Sequence, residues 1–174
     1  MWWWSRPRRA GSLHRALICR CTAPNPACCG KPVLALAFSP AHQLVAVNVR
    51  RSRIDGFGVF ADEPVPAGAK LGELTGEAIT VAEARRRAQG LQRIMLVELS
   101  SSRAIDASRS SDPMRFTNHS CSPNARIAVE DGQIEFFALQ ALVPGDEITV
   151  GYGATHHEGR LACRCAQPGC TGWL

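Results

Sequence analysis

Hydrophobic and polar residues alternate in several short stretches after residue 43, and this alternation predicts β-strands with one buried face. Val45, Val47 and Val49 are separated by smaller or polar residues, which is the period of two that a half-buried strand produces. Turn signals that contain Gly or Pro lie between many of these stretches. The other strand candidates are residues 59–61, 70–74, 94–99, 126–130, 133–139 and 147–150. The pattern predicts a mainly β domain over residues 44–153.

One hairpin and one helix can be placed within this domain. Asp131-Gly132 lies between the strand candidates 126–130 and 133–139, and this dipeptide is a strong signal for a two-residue hairpin turn. Thr80-Val81-Ala82-Glu83 fits a capping box, good helix formers continue to Gln89, and Gly90 follows. The spacing predicts a helix of two to three turns that begins after Thr80 and ends before Gly90.

Residues 1–43 differ in composition from the rest of the chain. They are rich in Arg, Pro, Ala and Cys and show neither strand nor helix period, so we expect a disordered extension that gains little from burial. No acidic residue occurs before Asp55, and residues 1–54 carry nine basic groups, whereas the remaining 120 residues carry 11 basic against 15 acidic groups, a net charge of −4. The extension is read as a dispensable tail, an organelle transit peptide or a nucleic-acid tether, and we expect contact with nucleic acid only through it.

Length and composition narrow the class of protein. The 174 residues, 45% of them apolar, fit one domain of ordinary size with short tails. The longest apolar run, Val33 to Phe38, is far shorter than the roughly 20 residues of a membrane span, so we expect no membrane association. A clear signal peptide is lacking, which favours free thiols over disulfides. We expect a monomer in a reducing intracellular compartment, cytoplasmic in a prokaryote and nuclear or organellar in a eukaryote.

The eight cysteines form two groups, and the C-terminal group has the spacing of a metal site. Cys163, Cys165 and Cys170 form a C-x-C-x4-C pattern, and three thiolates this close in sequence can occupy three corners of a tetrahedron around Zn²⁺. Cys121 is the candidate fourth ligand. Disulfides or free thiols remain the alternatives. The N-terminal group is a second candidate metal site without a recognised spacing: Cys19, Cys21, Cys28 and Cys29.

Several scattered segments, taken in order, resemble one protein family. They are Gly56-Phe57-Gly58-Val59-Phe60, Gly72-Glu73-Leu74-Thr75-Gly76-Glu77, Ile105-Asp106-Ala107, the stretch from Arg115 to Asn124, Gly145-Asp146-Glu147-Ile148-Thr149, and Cys163 through Leu174. This order and spacing resemble the SET-domain family of protein lysine methyltransferases. The resemblance implies a catalytic domain at 44–153 and a zinc-binding post-SET tail at 154–174. It also implies a fold of small curved sheets with short helices, in which the C-terminal segment threads beneath a loop as a pseudo-knot.

The resemblance also implies a cofactor, a substrate and a set of site residues. Members of the family transfer a methyl group from S-adenosylmethionine to the ε-amine of a lysine in a protein or peptide, histone or otherwise. The expected cofactor-binding residues are Asp55, Gly56, Phe57, Arg115, Asn118, His119, Tyr152, Trp173 and Leu174. The expected metal ligands are Cys121, Cys163, Cys165 and Cys170.

Tyr152 is the expected catalytic residue, because it matches the family's tyrosine beside the transferred methyl group. Two positions depart from the family's pattern. Leu74 stands where a tyrosine usually lines the lysine channel, and Val150 stands where Phe or Tyr is common. These departures support one alternative, a catalytically weak or inactive SET-like module that binds cofactor or a lysine-bearing peptide. The basic extension supports another, a nucleic-acid binder.

Overall fold

The computed structural model describes residues 44–91, 93–153, 159 and 161–174. Ten short strands and one α-helix occur in these residues, with a 3₁₀ turn at Pro113–Phe116. The strands are β1 (Val47–Arg51), β2 (Phe57–Ala61), β3 (Lys70–Leu74), β4 (Glu77–Thr80), β5 (Leu96–Glu98), β6 (Arg103–Asp106), β7 (Asn118–His119), β8 (Ala125–Glu130), β9 (Gln133–Ala138) and β10 (Glu147–Val150). The helix α1 spans Val81–Ala88.

The strands form three small sheets. Their orders are β1-β2-β10-β7, β3-β9-β8 and β4-β6-β5. In the first sheet β10 is antiparallel to β2 and parallel to β7, so the last strand of the described residues lies between two strands that precede it by many residues. The mainly β fold of small sheets is confirmed. The predicted pseudo-knot stays a prediction, because its chain path includes residues outside the described ranges.

Three strands were not predicted, namely β4, β6 and the two-residue β7, and all three depend on tertiary pairing. β4 contains one partly buried apolar residue, Ile79, and β6 is only four residues long. Neither segment has enough alternation to show a period, but each forms a register of four residue pairs with the other. The candidate strand at 94–99 is shorter than predicted, at 96–98, where it pairs with β6.

The hairpin and the helix boundaries agree with the sequence. Asp131 and Gly132 have φ values of 50° and 81°, the two positive values that a type I′ turn between twisted strands requires. The Thr80 side chain accepts a hydrogen bond from the Glu83 N–H at 3.1 Å. The Glu83 carboxylate instead binds Arg86 and Arg87, so the reciprocal half of the capping box is replaced by ion pairs.

One main hydrophobic core lies between the three sheets and the 3₁₀ turn. Its fully buried members include Leu71, Met114, Ile134 and Ile148. A smaller cluster of Val81, Ala84 and Ala104 fixes α1 on β6. Burial of such side chains is the main source of stability, and it holds the ends of β2, β7 and β10 together.

The prediction for residues 1–43 falls outside the described residues, and the domain boundaries remain predictions. In the described residues no helix is long and apolar enough to cross a membrane.

Candidate active site

Asn118 connects three separate segments at the first sheet. Its side-chain amide donates to the backbone carbonyl oxygens of Asp55 at 3.2 Å and Phe57 at 3.0 Å, and to Glu147 Oε1 at 2.8 Å. Asn118 is 9% exposed, because β7 lies parallel to β10 at the edge of the sheet. The structure therefore brings Asn118 and the 55–57 loop together, as the resemblance implies.

Glu147 is a site residue that sequence reasoning missed. Its carboxylate accepts hydrogen bonds from Ser52 Oγ at 2.7 Å and from Asn118. A Cβ at Gly58 would overlap the carboxylate, so glycine at this position lets Glu147 reach the strand backbone. The sequence did contain a signal for Glu147, since this residue lies in the 145–149 segment on which the family resemblance depends.

The backbone turns sharply at Gly56, beside an arginine from a distant segment. Gly56 has a φ of 46°, and a Cβ there would lie 2.9 Å from Arg93 Cζ. Arg93 makes two hydrogen bonds to the Asp55 carboxylate, Nε to Oδ2 at 2.8 Å and Nη2 to Oδ1 at 3.1 Å. The hydrogen bond from Arg93 lowers the pKa of Asp55. No pattern in the sequence pointed to Arg93.

Tyr152 lies beside His119 and directs its hydroxyl to the backbone. The hydroxyl donates to the Thr117 carbonyl oxygen at 2.9 Å, and the Tyr152 and His119 rings are 5.3 Å apart. Burial raises the pKa of Tyr152 to about 12, with a further contribution from the negative charge of Asp55. Although 44% of the residue is exposed, its hydroxyl is a neutral donor across the physiological range of pH.

His119 connects the tyrosine to the cysteine cluster. Its Nδ1 accepts from the Tyr152 N–H at 3.2 Å, and its Nε2 lies 3.4 Å from Cys121 Sγ. Burial lowers the pKa of His119. These contacts assign a neutral ring with its proton on Nε2.

Arg115 reaches the site through an aromatic pair. Its Nη1 donates to the carbonyl oxygens of Ser108 at 2.6 Å and Ser110 at 2.8 Å. The guanidinium stacks on Phe116 at 4.6 Å, and the Phe116 ring lies 6.1 Å from that of Phe57. Among the described residues, Arg115 Nε and Thr117 Oγ1 are buried and have no hydrogen-bond partner, which is unusual for buried polar atoms.

The four predicted cysteines converge. Their Sγ atoms all lie within 4.8 Å of one another, and Cys121 Sγ is 3.8 Å from that of Cys163 and 3.7 Å from that of Cys170. Tetrahedral zinc with Zn–S bonds of about 2.3 Å places its sulfurs about 3.8 Å apart. All four are free thiols. Burial opposes ionisation of Cys165, but backbone donors led by the Cys121 N–H outweigh it and lower its pKa to about 6.

Trp173 and Leu174 lie in the tail beside this cluster. Trp173 forms a β-bridge with Ala162, and the Leu174 N–H donates to the Leu161 carbonyl oxygen at 2.8 Å. Trp173 is 58% exposed, which leaves its ring free to cover a ligand. Its contact with a cofactor stays a prediction.

The chemical groups of these residues fit those of an S-adenosyl amino acid. The backbone carbonyl oxygens of Asp55 and Phe57 each keep a second lone pair that could accept from an ammonium group, and the guanidinium of Arg115 suits a carboxylate. Phe57 and Tyr152 expose 43% and 44% of their surfaces, and aromatic rings can bind an adenine face or a sulfonium. A Cβ at Gly151 would meet nothing within 4 Å, so the chain leaves space beside the phenol.

Comparison with known proteins assigns the class. Residues 56–153 match the model of the SET domain family, and the chain belongs to that family. It is 34% identical over 140 residues to the "Histone-lysine N-methyltransferase, H3 lysine-4 specific" of Candida albicans, across 74% of this chain and 14% of that protein.

Two further relatives are histone-lysine N-methyltransferases by name. ASHH1 of Arabidopsis thaliana is 32% identical over 129 residues, across 68% of this chain and 26% of the relative. Set2 of Drosophila melanogaster is 30% identical over 176 residues, across 95% of this chain and 7% of the relative. The chain therefore spans about a quarter or less of the length of these relatives.

Proposed function

We propose that the protein transfers a methyl group from S-adenosylmethionine to the ε-amine of a lysine in a protein. The observation that carries the proposal is the meeting of the 55–57 loop, Asn118, Tyr152 and the cysteine cluster at one end of the first sheet. The cofactor, when bound, supplies an electrophilic methyl group on a positively charged sulfur.

The chain's own residues bind and orient rather than form a covalent intermediate. Asn118 holds the carbonyl oxygens of Asp55 and Phe57 in place, which shapes the loop expected to receive the cofactor. Tyr152 keeps its proton, because burial raises its pKa to about 12, so its hydroxyl orients neighbouring groups as a neutral dipole. Alignment of two reactants at near-attack distance can contribute several kcal/mol to rate.

The substrate lysine has to be neutral to attack. A free lysine has a pKa near 10.4, and removal from water lowers it. Leu74 and Val150 are 7% and 1% exposed in the main core, so neither position adds a polar group beside the proposed lysine channel, and an apolar surrounding favours the neutral amine.

We infer that the cysteine cluster binds zinc and that the metal fixes the tail beside His119. The donor set of four sulfurs and their separations support zinc. Thiols stay reduced and able to bind zinc in a reducing compartment, which supports an intracellular location.

Histone H3 is the first substrate to test, because the names of several relatives specify H3 lysine 4. The net charge of −4 over residues 55–174 also suits a cationic peptide. The test incubates the full chain with methyl-labelled cofactor and H3, other histones or whole-cell protein, followed by peptide mass spectrometry. We expect label on lysine. Absence of both transfer and cofactor binding would overturn the proposal.

A binding module without turnover is the second candidate. It is favoured by the burial of Leu74 and Val150 where the family usually has phenol or aromatic side chains. It predicts a measurable dissociation constant for S-adenosylmethionine or for an H3 peptide, with no methylated product by mass spectrometry.

A further inference from the structure

Asp55 joins three parts of the chain that are far apart in sequence. Its Oδ1 lies 3.4 Å from Arg164 Nη1 and 3.1 Å from Arg93 Nη2, and its Oδ2 lies 2.8 Å from Arg93 Nε. Arg93 precedes β5, and Arg164 belongs to the C-terminal tail, 109 residues from Asp55. One carboxylate therefore binds two guanidinium groups that come from two later segments of the chain, 38 and 109 residues away.

These ion pairs are too exposed to be a main source of stability. The side chains of Asp55, Arg93 and Arg164 are 40%, 61% and 68% exposed, and pairs of this kind contribute little to folding because water and salt screen them. Their role is instead to connect the 55–57 loop with the segment before β5 and with the C-terminal tail.

Each arginine lies beside a part of the candidate active site. Arg164 is the residue between Cys163 and Cys165, so it moves with the cysteine cluster. The Arg93 guanidinium lies against Gly56, where a Cβ would be 2.9 Å from its Cζ. The peptide of Asp55 is in turn held by Asn118 at 3.2 Å.

We propose that Asp55, Arg93 and Arg164 form an ionic latch that closes the cysteine-bearing tail over the cofactor loop. The three are positioning residues, and the latch rests on the proposed function. Closing the latch orders the tail and the loop together, so part of the cost of ordering the site is met before the cofactor binds. Breaking it from the tail side, as in Arg164→Gln, raises the apparent Km for S-adenosylmethionine and leaves kcat largely unchanged.

Hydrogen exchange of the zinc-loaded full chain tests the latch directly. Peptides that cover residues 161–174 are followed by mass spectrometry in Asp55→Asn, Arg164→Gln and the double variant, each with its zinc content measured. We expect exchange in this segment to accelerate about two- to fivefold in Asp55→Asn and Arg164→Gln, the size of an exposed ion pair. Calorimetry should show S-adenosylmethionine binding weakened by a similar factor.

Three controls separate a latch from general loosening. Arg85→Gln removes a comparable exposed ion pair with Glu98 at 3.1 Å, and it should leave exchange at 161–174 unchanged. Asp55→Glu keeps the carboxylate and should restore part of the protection. Salt at about 1 M should accelerate exchange in the wild type but hardly in Asp55→Asn, because the charges that salt screens are already broken there.

The latch predicts that Arg164→Gln has no further effect in the Asp55→Asn background, since both remove the same contact. Additive effects, or unchanged exchange in both single variants, would overturn it. A protein that binds cofactor and methylates lysine while its tail exchange is insensitive to these variants contradicts the latch alone. A wild type that binds no cofactor contradicts the proposed function, whatever the exchange of the tail.

Discussion

At the scale of single residues, the ionisation of Tyr152 can be measured directly, because it is the sole tyrosine of the chain. Its hydroxyl donates to the Thr117 carbonyl oxygen, and burial opposes loss of its proton. A phenol that keeps its proton at the working pH can orient an amine and a methyl group through its dipole. A phenolate would instead place a negative charge beside the positive sulfonium and bind it as an ion pair.

We predict that the phenolate absorbance of the folded protein appears with a midpoint near pH 12, against about 10 in the unfolded chain. The pKa is raised in the folded state, so the stability linked to this group is complete below pH 10 and is lost as the pH rises towards 12. Absorbance near 295 nm reads the titration, and Tyr152→Phe should abolish it. A midpoint at 10 in the folded protein would contradict the buried hydroxyl.

Asn118 holds more of the site together than any other single side chain among the described residues. We predict that Asn118→Ala destabilises the fold by about 1–3 kcal/mol, because it leaves the carbonyl oxygens of Asp55 and Phe57 without this donor. Urea denaturation measures the change. Asn48→Ala, at an exposed position of β1, is the matched control and should change stability by less than about 0.5 kcal/mol. Equal effects in the two variants would refute the role of the buried amide.

At the residue level, the sequence pointed to positions that a motif names and missed positions that only the folded geometry connects, while the roles of the named residues stay predictions. Asn118, His119 and Tyr152 were predicted from short segments, and the structure places His119 against Tyr152 and Asn118 against the 55–57 loop. Arg93 lies in a segment with no motif, and its contact with Asp55 spans 38 residues. Such an ion pair has no periodic signature, so the sequence could not indicate it.

At the scale of elements, the helix boundary depends on one side chain. We predict that Thr80→Ala costs about 1 kcal/mol, since the Glu83 N–H loses its acceptor at the first turn of α1. Thermal unfolding measures the loss, and Ser101→Ala in an exposed loop is the control. No difference between the variants would show that ion pairs of Glu83 with Arg86 and Arg87 alone define the start of the helix.

Elements with their own local signal were predictable. The helix had a cap, and the β8–β9 hairpin had Asp131-Gly132, whose positive φ values the structure confirms. β4 and β6 are held by each other and by α1. Their residues show little alternation of burial, so their existence depends on the tertiary structure rather than on local pattern.

At the scale of the whole molecule, the cysteine cluster connects chain positions 42 to 49 residues apart. C-x-C-x4-C alone indicated three ligands, and Cys121 was the candidate for the fourth because a structural zinc site takes four. The convergence of Cys121 with the tail agrees with that prediction. Spacing could not have selected Cys121 from the other cysteines, because the fourth ligand comes from a different part of the fold.

We predict that chelation of the metal lowers the thermal midpoint and increases proteolysis of the tail, since metal binding contributes to folding free energy. Cys121→Ser should bind zinc at least tenfold more weakly than the wild type, while Ser122→Ala, at the exposed neighbouring position, should not. Metal analysis and competition with a chelator measure both. Full-affinity zinc in Cys121→Ser would contradict the ligand set.

The most direct measurement is a single-turnover rate of lysine methylation, with saturating S-adenosylmethionine and a lysine peptide, in wild type and Tyr152→Phe. We predict product on lysine in the wild type and a rate lower by about 10²-fold in Tyr152→Phe, because loss of the hydroxyl leaves the reacting groups poorly aligned. Cofactor affinity should change little. Equal rates in the two proteins would contradict the claim that this phenol, held beside the metal-bound tail, orients the transfer.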